Sequence, residues 1–238
     1  LYGVPSVGHT KEKVLTFLGQ GADKTAWNIG AEVPNPYYFG TEYNSDYSFD
    51  GAGTVTFQDM TLRSGTANYL GFTRPDNTVV ENCTINGKTF YWGYKSATFT
   101  NTTFNCPSGD YALWTYSSPP MTFENCTFNS SGKVINVYNE GGTPNIVVNF
   151  SNCRVNNEGF SLKPVLNIND APVKSFTINI SGNISVSGVD PDGISCSRLF
   201  GFGYARNNQK KTVVNFNGET VWENGSMVDE ELYHNSGV

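Results

Sequence analysis

Histidine is almost missing from this chain of 238 residues: there are two, His9 and His234, one near each end. With no Cys-x-x-Cys pair either, a zinc site has little support. Positive charge is also scarce. Lys and Arg number 15 against 21 Asp and Glu, a formal net charge of −6, and no basic run exceeds Lys210-Lys211. That balance gives no electrostatic case for nucleic acid or an anionic membrane surface. No apolar run approaches the roughly 20 residues that span a bilayer. The opening Leu1-Tyr2-Gly3 has neither an initiator Met nor the basic-then-apolar pattern of a signal peptide. It reads as the start of a mature product or of an excised piece. Cysteine, at five, is odd in number, and a chain this long needs no disulfide staple.

What the chain has in plenty is one hexapeptide. Phe57-Gln58-Asp59-Met60-Thr61-Leu62 returns as Val80-Glu81-Asn82-Cys83-Thr84-Ile85 and as Phe99-Thr100-Asn101-Thr102-Thr103-Phe104. Two more copies are Phe123-Glu124-Asn125-Cys126-Thr127-Phe128 and Phe150-Ser151-Asn152-Cys153-Arg154-Val155, and the starts are 23, 19, 24 and 27 residues apart. A unit of this length cannot bury its own apolar face, so it must stack on its neighbours. Cys83, Cys126 and Cys153 share one column with Met60 and Thr102, a column that asks for small to medium core filling. Cys106 and Cys196 are placed in connecting loops, and all five cysteines are read as free thiols.

Each repeat divides into three strand signals. Before the Asn runs an alternating segment whose apolar pairs are Val55/Phe57, Thr78/Val80, Ala97/Phe99, Met121/Phe123, Val148/Phe150, Ile178/Ile180 and Val214/Phe216. Period two puts each pair on one face of a strand. The Asn marks a tight bend, because it tolerates left-handed backbone and can bond from coil to coil. A second strand follows it. A third comes after a loop: Tyr69–Phe72, Tyr91–Tyr94, Leu113–Tyr116 and Ile135–Tyr138, with Val165–Ile168 and Leu199–Phe202 as further copies. Residues 72, 94, 116 and 138 are 22 apart, so they are expected in one column, with Trp92 and Trp114 in another. Ser181-Gly182-Asn183 and Asn217-Gly218-Glu219 look like corners lengthened by one residue.

Three strands per turn, an Asn at one corner and variable loops at the others resemble the right-handed parallel β-helix of pectate-lyase-like proteins. The resemblance covers residues 47–222 and implies an all-β, single-stranded right-handed parallel β-helix. One domain, 1–238, is expected: an N-terminal cap, first coil and long loop in 1–46, stacked coils in 47–222, and a C-terminal cap or tail in 223–238. Val14–Gly21 looks like the first coil. Residues 1–13 and the acidic Val228–Tyr233 are the candidate caps.

The resemblance implies where catalysis would sit, on acidic clusters along one sheet, and hydrolysis needs two carboxylates about 5 to 9.5 Å apart. The third-strand columns hold no acid. The second-strand outward column, Thr61, Thr84, Thr103, Thr127 and Arg154, holds none either. The Asn-Thr-Asp, Asp-Asp, Gly-His-Gly and Arg-x-Lys motifs of polygalacturonase-like enzymes are absent. Asp190-Pro191-Asp192-Gly193 reads as a turn, a poor Ca²⁺ loop, and Glu140 with Asp170 as solvated strand ends. No metal, cofactor or catalytic residue is expected. The Asn-x-Ser/Thr triplets at Asn82, Asn101 and Asn125 follow from the repeat, at a bend read as too crowded for a glycan.

The aromatic residues Trp92, Tyr94, Trp114, Tyr116 and Tyr138 are the candidate ligand-binding set. Two placements are open. If they point inward they are core, continued by Leu166/Ile168 and Phe200/Phe202. If they point outward, Tyr91/Gly93, Leu113/Thr115 and Ile135/Val137 fill the core, and a Trp/Tyr strip faces water. The second is favoured, because Asn136 and Glu140 share the parity of Tyr138 and buried Trp and Tyr need hydrogen-bond partners. Such a strip suits sugar stacking or a protein hot spot. The expected function is a non-catalytic binding or adhesion module, bacterial and extracellular, secreted or anchored at the cell surface, with a glycan or protein partner. A polysaccharide lyase or glycoside hydrolase and a structural spacer are the alternatives.

Overall fold

The computed structural model describes residues 14–28, 53–63, 69–73, 75–106, 111–116, 120–130, 133–138, 145–156, 166–168, 175–183, 185–187, 200–202, 212–223 and 226–227. They form a right-handed parallel β-helix of three sheets. The long sheet stacks Val14–Leu18, Thr54–Gln58, Asn77–Glu81, Ser96–Thr100, Met121–Glu124, Asn145–Ser151, Ser175–Ser181 and Thr212–Phe216, all parallel. The second sheet stacks Ala26–Asn28, Thr61–Arg63, Thr84–Asn86, Thr103–Cys106, Thr127–Ser130, Arg154–Asn156 and Ser185–Ser187. The third stacks Tyr69–Thr73, Lys88–Trp92, Tyr111–Tyr116, Lys133–Tyr138, Leu166–Ile168 and Phe200–Phe202.

Period-two patterning builds the long sheet. All seven expected pairs, from Val55/Phe57 to Val214/Phe216, are buried, and they share a register from coil to coil. Their aromatic members stack: Phe99 on Phe123 at 5.1 Å and 9°, and Phe123 on Phe150 at 5.4 Å and 17°. A second stack, Phe104 on Phe128 at 4.8 Å, comes from the second sheet and meets the first edge-on. Each such side chain contributes roughly 1.5–3 kcal/mol by leaving water. The column Met60, Cys83, Thr102, Cys126 and Cys153 is buried throughout, at 3 % exposure or less.

The corner after the long sheet is left-handed in all five copies of the hexapeptide. Asp59, Asn82, Asn101, Asn125 and Asn152 have φ between 49° and 55°, and each donates its N–H to a carbonyl of the next coil. Side chains add a ladder: Asn82 Nδ2 donates to Asp59 Oδ1 and Asn101 Nδ2 to Asn82 Oδ1, both at 3.0 Å. At the lengthened corner Gly182 takes the left-handed turn (φ 67°), while the Asn183 N–H donates to Asn152 Oδ1. The bend is not crowded, contrary to the sequence reading, since Asn82, Asn101 and Asn125 are all exposed. What engages Asn82 and Asn101 is the ladder itself.

One end follows the expectation and the other departs from it. Val14–Leu18 and Ala26–Asn28 pair with Thr54–Gln58 and Thr61–Arg63, so the first coil is where the sequence placed it. At the other end Asn217-Gly218 is no helix corner. With φ of 46° and 89° it makes a hairpin turn, and Glu219–Glu223 runs back antiparallel along Thr212–Phe216. Two consecutive left-handed residues suit a tight two-residue hairpin, for which Asn-Gly is the preferred pair. Ser226–Met227 adds a further antiparallel strand. The candidate caps 1–13 and 228–233, and the loop 31–46, lie outside the described residues. Cys106 ends a strand, opposite Ser130, and is not a loop residue.

Candidate functional site: the third sheet and its neighbours

The register of the third sheet overturns the 22-residue columns. Phe72 pairs with Tyr91, Tyr91 with Thr115, and Thr115 with Val137. The steps are therefore 19, 24 and 22 residues. Trp92 and Trp114 do not share a column. Trp92 stands opposite Thr73, while Trp114 stands between Phe90 and Asn136. Tyr116 pairs with Tyr138 at the strand ends. Tyr94 lies beyond its strand, in the bend that leads to Ser96–Thr100. The physical reason is unequal coil length: the short coil sets Tyr91 three residues behind a 22-residue count, and the 24-residue step to Thr115 leaves the later strands one residue behind it.

Among the side chains described in this sheet, Tyr91, Leu113 and Ile135 are fully buried, each at 0 % exposure. Successive residues of a strand face opposite sides. Trp92, Trp114, Tyr116 and Tyr138 hold the positions that alternate with these three; their side chains lie outside what is described. Tyr94 is 48 % exposed. Its bend is tied to the preceding coil, with Tyr94 N–H on Pro75 O at 3.1 Å, Lys95 N–H on Asp76 O at 2.7 Å, and an exposed Lys95–Asp76 ion pair at 2.7 Å.

Tyr91 is the one polar side chain among the three. Its hydroxyl donates to Ser96 O at 3.1 Å, and burial holds the phenol well above its usual titration range. Gly93 is buried beneath the Tyr91 ring.

Two features on the other sheets have sequence signals that the repeat obscured. Asn86, Asn105, Asn129 and Asn156 form a second amide ladder, each Nδ2 donating to the Oδ1 before it at 2.7–2.8 Å. Its signal is the residue that follows the hexapeptide in four copies. On the outer face of the long sheet Asn149, Asn179 and Asn215 form a third ladder, starting from Thr122 and ending at Thr220.

Glu81 and Glu124 share one long-sheet column, with Thr100 between them. Two coils at ~4.8 Å each put their backbones about 9.6 Å apart, at the limit for an inverting carboxylate pair. Glu124 is exposed and Glu81 half-buried, flanked by Gln58 and Ser151 on a sheet face. Asp190, Asp192, Glu140 and Asp170 lie outside the described residues.

Among the described residues no group of three or more His, Cys, Asp or Glu could hold a metal ion. No helix there is long and apolar enough to cross a membrane. No protein-family model, no curated protein and no solved structure matches this chain.

Proposed function

We propose that this chain is a non-catalytic extracellular binding module, whose third sheet offers Trp92, Tyr94, Trp114, Tyr116 and Tyr138 to a glycan or protein partner. The observation that carries the reading is the burial of Tyr91, Leu113 and Ile135. These take the inward places on three adjacent coils and leave the alternate places to the aromatic set. The exposed Tyr94 ring agrees with it. Flat aromatic faces on a rigid stack suit sugar rings, and a Trp/Tyr cluster suits a protein hot spot. The regular stack holds the loops at its corners, where specificity resides. Secretion or surface anchoring in a bacterium belongs to the same proposal, as does any kinship with pectate-lyase-like proteins beyond architecture.

The test is the Trp92→Ala/Trp114→Ala variant on a panel of immobilised neutral and acidic polysaccharides, with urea unfolding alongside. Binding lost at unchanged stability supports the surface. A stability loss near the ~3–5 kcal/mol of a truncated buried Trp sinks it and leaves a structural spacer.

The Glu81/Glu124 column favours one second reading, a polysaccharide hydrolase or lyase. Release of new sugar ends from an acidic polysaccharide, abolished by Glu124→Gln, would put that reading first.

A further inference from the structure

Cys126 and Cys153 directly follow the corner residues Asn125 and Asn152 of adjacent coils. The ladder joins them: Arg154 N–H donates to Cys126 O at 2.9 Å, and Thr127 pairs with Arg154. Both side chains face the core, at 1 % and 2 % exposure. They also point the same way. Cys126 Sγ lies 3.3 Å from Phe99 O and Cys153 Sγ 3.4 Å from Phe123 O, and Phe99 and Phe123 are register partners. The two thiols therefore stand one above the other, one coil apart. Cys83 sits in the same column but is separated from Cys126 by the Thr102 coil.

Adjacent strands ~4.8 Å apart bring the two Cα atoms within the ~4.4–6.8 Å span of natural disulfides. Parallel Cα–Cβ bonds leave the Cβ atoms at about the same separation, beyond the ~3.5–4.5 Å a relaxed bridge requires. Closing the bond draws two coils together by a few tenths of an ångström. Strain of this kind makes a disulfide easier to reduce.

We propose that Cys126 and Cys153 form a reversible inter-coil disulfide by exchange with a low-molecular-weight disulfide. The Cys153 thiolate attacks one sulfur of the small disulfide and expels one small thiolate, which takes up a proton. Cys126, deprotonated in turn, attacks the Cys153 sulfur and expels the second. One sulfur–sulfur bond breaks and one forms; two protein thiols are oxidised and the small disulfide is reduced to two thiols. Either thiol can open the exchange, and the steps balance in the same way with Cys126 and Cys153 interchanged. At 1–2 % exposure exchange needs local opening, which the short strands Thr127–Ser130 and Arg154–Asn156 can supply.

The full chain, undenatured, is equilibrated over a series of oxidised-to-reduced glutathione ratios, quenched with an alkylating agent and digested without reduction. The expected product is one cross-linked peptide pair carrying Cys126 and Cys153. It appears as the ratio rises and vanishes on return to reduced glutathione, while Cys83 stays alkylatable once the protein is unfolded. Three results overturn the proposal: Cys126 and Cys153 alkylated at every ratio, either residue bridged to Cys83, Cys106 or Cys196 instead, or a bridge formed only in denaturant. Cys153→Ala supplies the control, in which no intramolecular bridge to Cys126 survives.

Discussion

The hydroxyl of Tyr91 folds back over Gly93, in the space a Cβ at position 93 would fill, and from there reaches Ser96 O. A rigid phenol cannot step aside as a flexible side chain would. Gly93→Ala is therefore expected to cost about 1–3 kcal/mol by overpacking, and Tyr91→Phe about 1 kcal/mol through the lost hydrogen bond. Because the oxygen is the atom closest to the added methyl, the double variant should cost less than the sum. Urea unfolding of the four-protein cycle measures that coupling.

The corner ladder sets Asn101 apart from Asn125. Both have left-handed backbone, but Asn101 donates to Asn82 Oδ1, whereas the Asn125 carboxamide makes no such bond among the described residues. Asn101→Gly should lose roughly 1 kcal/mol, and Asn125→Gly should stay within about 0.5 kcal/mol of the parent. Asn101→Ala adds the left-handed penalty of roughly 1–2 kcal/mol. Equal losses at the two glycine variants would show that the ladder contributes nothing.

Phe123 sits where both aromatic stacks meet, within 6.2 Å of the rings of Phe99, Phe104, Phe128 and Phe150. Phe123→Ala is expected to cost about 3–5 kcal/mol. A stack of nearest-neighbour contacts loses cooperativity when its middle weakens. Fluorescence and circular dichroism should then report separate transitions in place of one.

Burial pushes the Cys83 thiol from 9.0 up to about 11. Between those values the folded protein keeps a proton that the unfolded chain has lost, so stability is full below pH 9 and falls as pH rises toward 11. The slope corresponds to roughly 2–3 kcal/mol in total. Cys83→Ala should lower the plateau and flatten this part of the alkaline limb, as read from unfolding midpoints across pH 8 to about 11.

The long sheet and its corner were legible because each rests on a local rule. Alternation sets Val148/Phe150 inward whatever the neighbours do, and Asn152 marks a left-handed bend by its own backbone tolerance. The third sheet was not legible in the same way. Its register depends on the length of every coil before it, and the 19-residue step from Val80 to Phe99 was hidden by Tyr and Trp recurring at 22. Tyr91 was thus paired with the wrong neighbours, and Trp92 and Trp114 were set in one column that the register does not form. Asn86, Asn105, Asn129 and Asn156 follow the hexapeptide in four copies, and Glu81 and Glu124 stand at its second position. Neither set is a column by any local rule, since a column exists only once the coil-to-coil register is known. Asn217-Gly218 satisfied two rules at once, repeat corner and hairpin turn, and the hairpin won.

That reversal at Asn217-Gly218 determines where the solenoid can be lengthened. Duplicating a coil anywhere upstream of Thr212 gives the copy parallel neighbours on both sides. A coil inserted after Phe216 would have to displace Glu219–Glu223 from the edge it already covers. Length variants of this scaffold, whether natural or engineered, should therefore differ by internal coils and keep the reversal as a common terminus. Each added coil would lengthen the stack by one step of ~4.8 Å.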